Sequence, residues 1–181
     1  MVRTARPGIA PPFCVHMSDS ANLSRMEAPI EKCASWPCGL RPTVLRLAIG
    51  AVFVGVGLQK LWGIWGGTGI SGTAALFQAV HLVPPYPLAV FVTALELVGG
   101  ALLFLGAFTV WLAALLAIEM IVAIWKVHFV HGFLLNWTLR PGVGHGYEFN
   151  LVLIAALVCL IFTGPGTLSI DGYLARRHRN T

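Results

Sequence analysis

Residues 117–133, AIEMIVAIWKVHFVHGF, form an almost wholly apolar run that nevertheless carries Glu119, Lys126, His128 and His131. Carboxyl, ammonium and imidazole groups can pair, pass protons or hydrogen-bond a ligand. Inside an apolar span they mark a functional site by default. At about 100° per residue, Glu119 and Lys126 share a helix face, with roughly 10 Å of rise between their backbones. His128 falls nearly opposite Lys126, and His131 lies well off that face. The four groups read as an interior Glu–Lys pair and two histidines at the outer water interface.

Composition says what kind of element must hold them. Of 181 residues, 57% are hydrophobic and only 10% charged, and the mean hydropathy is +0.79. Soluble domains are about 25% charged, so a cytosolic globular protein is excluded. Four apolar segments, at about 43–62, 86–108, 110–130 and 147–164, each approach the ~17–25 residues that cross a hydrocarbon core as a helix. None alternates as a barrel strand would. The expected fold is an all-α bundle of four transmembrane helices.

Lys and Arg orient it. The tails hold Arg3, Arg6, Arg25, Lys32, Arg41, Arg176, Arg177 and Arg179, whereas the long connections 63–85 and 131–146 hold Arg140 alone. Both termini are therefore expected in the cytoplasm. These tails account for most of the net charge of +5, and no basic groove interleaved with aromatics points to nucleic acid.

Residues 1–42 form a polar tail, expected to be disordered, in which Met17 and Met26 are alternative starts. It lacks the apolar region of a signal peptide, so the first span itself targets the chain. Cys33 and Cys38 have the wrong spacing for a CxxC pair and, with Cys14, read as free thiols in a reducing cytosol. Cys159 reads as a small packing residue of the fourth span. Residues 43–172 make the membrane domain and 173–181 a basic cytoplasmic tail.

Helical spacing assigns interior faces. They are Arg46, Gly50, Phe53, Gly57 and Lys60 on the first span, and Ala89, Thr93, Glu96, Gly100 and Ala107 on the second. On the fourth they are Glu148, Val152, Ala155, Cys159 and Thr163. Glu96 and Glu119 fall near the bilayer middle. Across the spans three cations (Arg46, Lys60, Lys126) balance three anions (Glu96, Glu119, Glu148). A lone charge at the bilayer centre costs at least ~2.5–3.5 kcal/mol, so an interior charge or proton network of these six is expected, with Lys60 and Glu148 at similar depth. Gln59, Lys60, His128, His131 and Asn150 are candidate contacts to a polar ligand. Histidines at i, i+3 beside Glu148 lack any organising metal motif, and no metal is expected.

The segments LRLAIGAVFVGVGLQKLWG, GGTGISGTAALFQAV, ALELVGGALLFLGAFT, HGFLLNW, HGYEFNLVLIAALV and GPGTLSID, taken in order over residues 43–172, together resemble the DoxX family. Gln59, Lys60, Glu96, Gly99, Gly100, Glu148 and Asn150 match its pattern, while Val110 departs from a basic residue common there. The resemblance implies a four-helix bundle in the bacterial inner membrane. It also implies a quinone-linked oxidoreductase subunit, of a quinol oxidase or a thiosulfate:quinone oxidoreductase, with quinone as ligand and a redox protein as partner. No flavin, iron–sulfur or nicotinamide motif occurs, so catalysis by this chain alone is not implied. Two other readings stay open: a non-enzymatic membrane scaffold, and a small-solute transporter or a channel of several copies.

Overall fold

The computed structural model describes residues 39–138, 140 and 143–179. The expected disordered tail, with Cys14, Cys33 and Cys38, lies outside the described residues except for its last four positions, of which three are already helical. Among the described residues all regular structure is helical. Helix α1 spans Leu40–Trp62, α2 Gly69–Ala79, α3 Pro85–Leu105 and α4 Thr109–His131. Helix α5 spans Glu148–Thr163 and α6 Ile170–Arg179.

Three of these, α1, α3 and α4, are long and apolar enough to cross a membrane. With 16 residues, α5 is shorter, about 24 Å at the helical rise. The surface agrees with a lipid setting: Trp111, Phe162, Ile118 and Val98 are all more than half exposed, which water would penalise. Two helices were not foreseen. The short α2 packs Ala74 and Phe77 against Ala89 of α3, and the basic tail is the helix α6.

Local chemistry sets the boundaries. Prolines open α3, where the missing N–H has no partner to lose. Gly63 and Gly106, at φ +69° and +76°, end α1 and α3 in left-handed conformations that only glycine adopts freely. α1 and α3 pack in near backbone contact. A Cβ on Gly57 would lie 2.7 Å from the Leu97 amide nitrogen, and one on Gly50 2.7 Å from that of Phe104.

The stripes expected on the first two spans are the buried ones, apart from Lys60, which is half-buried. That on the fourth is not. Val152 is 61% exposed, and Ala155, Cys159 and Thr163 are exposed too. The buried residues of α5 are Asn150, Leu153, Leu157 and Leu160. The reason lies in the partner: α4 supplies the small residues of this interface, Ala113 and Ala117, and α5 fills the space with leucines.

Candidate functional site

The site is built where α1, α3 and α4 meet. Glu96 is wholly buried within a π turn, Leu95–Gly99, that interrupts α3. Such i→i+5 turns concentrate at functional positions. Lys60, in the last turn of α1, donates from Nζ to Glu96 Oε1 at 2.5 Å. The glycine contact at Gly57, one turn earlier, brings the two backbones close enough for that reach. Glu119 of α4 completes the cluster and interacts with both Glu96 and Lys60. The second carboxyl oxygens, Glu96 Oε2 and Glu119 Oε2, are buried without a hydrogen-bond partner.

Two cavities flank this cluster. One, of about 390 Å³, lies among α1, α2, α3 and α4, with Phe77, Leu88 and Val92 as apolar wall. The other, of about 340 Å³, reaches past Met120 and Asn150 to Leu135 and His145 of the α4–α5 connection. Gln59, Lys60, Glu119, Ala123 and His128 line both. Four of these five shared residues are polar, while most of the remaining lining is apolar. That is the usual character of a small-molecule pocket.

A second π turn, Ile124–His128, interrupts α4. It corrects the helical wheel: Lys126 and His128, nearly opposite on an ideal helix, both line the larger cavity. His128 is not solely an interfacial group. Its Nδ1 lies 2.8 Å from the carbonyl oxygen of His145. A carbonyl only accepts, so Nδ1 carries the hydrogen, and in the neutral ring Nε2 is left as an acceptor. His131 is exposed, lies outside both cavities and packs its ring on Gly144.

The remaining candidates separate. Lys126 Nζ lies 4.6 Å from the Trp125 ring centroid, a cation–π contact, rather than against Glu119. Gln59 Nε2 donates to Trp65 O at 3.3 Å, and Asn150 Nδ2 to Met120 Sδ at 3.4 Å. Glu148 does not meet Lys60. Its Oε2 accepts from Leu135 N at 3.2 Å, because the α4–α5 connection folds back over the start of α5. Among the described residues no group of three or more His, Cys, Asp or Glu converges as metal ligands would.

Arg46 belongs to the opposite end, about 21 Å of helix from Lys60. Its Nη1 donates to Leu103 O at 3.2 Å and Phe104 O at 2.7 Å, and its Nη2 to Leu168 O at 2.6 Å. It caps the C-terminal carbonyls of α3 and ties down the segment before α6. The six charged residues therefore form a cluster of three, Lys60, Glu96 and Glu119, and three separate structural contacts. The π turns at Glu96 and His128 leave no signature in the sequence.

Comparison with known proteins agrees with this core. Residues 42–129 match the DoxX family model, a stretch that contains Lys60, Glu96, Glu119 and His128. "Putative oxidoreductase CatD" of Bacillus subtilis (strain 168) is 29% identical over 137 residues, covering 76% of this chain and 89% of that protein. No solved structure matches the chain.

Proposed function

Starting from the match of residues 42–129 to the DoxX family model, we propose that the chain is a quinone-linked oxidoreductase subunit of the bacterial inner membrane. It binds the quinone ring beside Lys60, Glu96 and Glu119, and it handles protons for a partner protein that carries the electrons. The observation that carries this reading is the part-buried Lys60–Glu96 pair beside two cavities, with two carboxyl oxygens lacking partners.

The residues fit such a ligand. A quinone carbonyl needs a donor, and the Lys60 ammonium has three N–H groups, of which Glu96 Oε1 takes one. A quinol hydroxyl needs an acceptor, and His128 Nε2 is one. Either cavity falls in the usual range for a small-molecule site. A bound quinone would supply two-electron, two-proton redox chemistry. The chain's own part is to orient the ring, exclude water behind Phe77, Leu88 and Val92, and hold a proton at Glu119 or Glu96.

In this reading α5 stands upright as a fourth span and both termini lie in the cytoplasm, which the basic ends of the chain support. Exposed Trp62, Trp65, Trp125 and Trp137 mark one interface, and Phe108 and Trp111 the other.

The test is solvent extraction and mass analysis of quinone from the detergent-purified protein, beside Lys60→Ala and Glu96→Gln variants of matched fold. Stoichiometric quinone in the parent, lost from a folded variant, is expected. No bound quinone, and no binding when quinone is added, overturns the reading in favour of an assembly scaffold.

A further inference from the structure

Helix α6 is tied to the bundle chiefly through its first turn; in its second turn Arg176 Nη2 donates to Thr167 O at 3.2 Å while the residue stays exposed. Asp171 accepts from the backbone N–H groups of Phe108 and Thr109, both at 2.9 Å, and its own N–H donates to Gly106 O at 3.0 Å. From Tyr173 to Arg177 every residue is exposed. Within this stretch and just before it, Ile170, Tyr173 and Leu174 follow the i, i+3, i+4 spacing of a single face, and they are 42%, 60% and 47% exposed. Leu168, 68% exposed, precedes them.

Much of that face is left uncovered by the described residues, and water is a poor neighbour for it. The hydrocarbon interior is equally unsuitable, since Arg176 and Arg177 follow within one turn and the sequence continues His178, Arg179. An apolar stripe flanked by arginines fits the boundary between headgroups and acyl chains.

The height of the helix agrees. Asp171 is tied to the start of α4, whose first residues stand beside Phe108 and Trp111, 67% and 75% exposed, as aromatic groups at a membrane interface do. The charge agrees as well. Asp171 is committed to the α4 backbone, so the outer part of the helix presents arginines without a neighbouring acid. An anionic leaflet is the complementary surface.

We propose that α6 lies in the membrane interface, with Ile170, Tyr173 and Leu174 among the acyl chains and Arg176 and Arg177 binding anionic phospholipid headgroups. This does not depend on the quinone reading.

The test uses the full chain in which Cys14, Cys33, Cys38 and Cys159 are replaced by Ser and a nitroxide is placed at Leu174→Cys. It is reconstituted into vesicles of phosphatidylcholine alone or of phosphatidylcholine with phosphatidylglycerol. Power saturation compares access by oxygen with access by a water-soluble nickel chelate. A label at Val98→Cys, on the exposed face of α3, reports intact insertion. The expected result is oxygen-favoured access at 174 in the anionic vesicles. Its in-to-out ratio should fall by roughly fivefold for each of Arg176→Gln and Arg177→Gln.

Two results overturn the proposal. One is nickel-favoured access at 174 in both vesicles. The other is shielding that rises with protein density and ignores lipid charge, which would show that a second copy covers the face.

Discussion

Lys60 Nζ and Glu96 Oε1, 36 positions apart in the chain, meet at 2.5 Å with the Glu96 side chain entirely buried and that of Lys60 27% exposed. The asymmetry sets the outcome of removing either partner. Lys60→Met strands a buried carboxylate and is expected to cost about 3–5 kcal/mol of stability. The double substitution Lys60→Met with Glu96→Leu should recover much of that loss. Reversible unfolding in mixed micelles measures both, and an additive pair of effects would show that the two groups do not interact.

Glu119 differs because among the described residues it forms no direct ion pair. Glu119→Gln keeps the volume and a hydrogen-bonding group beside Glu96, so stability should stay within about 1 kcal/mol. On the proposed quinone reading, loss of the Glu119 carboxyl should lower quinone retention. Thermal unfolding and quinone extraction on the same preparation separate the two effects.

The α1–α3 contact predicts a contrast within one helix. Gly57→Ala pushes a methyl group onto the Leu97 backbone, which cannot yield as a flexible side chain could. Overpacking of this kind costs about 1–3 kcal/mol, and the separation should also loosen the Lys60–Glu96 pair. Gly55→Ala, with nothing within 4 Å of the new carbon, should be neutral or slightly stabilising. Equal loss at both positions would contradict the packing described.

At the other end Asp171 serves as a remote N-cap for α4. Asp171→Ala removes two 2.9 Å hydrogen bonds to Phe108 and Thr109, and should cost about 1–2 kcal/mol. Asp171→Asn keeps one acceptor and should cost less. Hydrogen exchange at the first turn of α4 gives the direct reading.

Lys60 and Glu96 were legible in the sequence because a charge in an apolar span has few places to go, and glycines at matching intervals showed which faces touch. The buried face of α5 was not legible. In lipid both faces of a helix are apolar, so hydropathy cannot tell Leu153 and Leu157 from Val152, and the small residues of that interface lie on α4. The pairing of Lys60 with Glu96 rather than Glu148 depends on how the α4–α5 connection folds back, which no periodicity encodes. The shared cavity wall of Lys126 and His128 depends on a π turn, and one extra residue in a helical turn changes no composition.

The Arg46 clamp carries a consequence for the order in which the protein is made. Its carbonyl partners lie 57, 58 and 122 positions further along the chain. When α1 leaves the ribosome its guanidinium has none of them, and six residues from the helix start it can wait only by reaching back to the headgroups. The α3 carbonyls arrive next and Leu168 last. Helix α1 is thus among the last to be seated, and a chain that stops after α5 would hold α1 to α5 yet leave the clamp open.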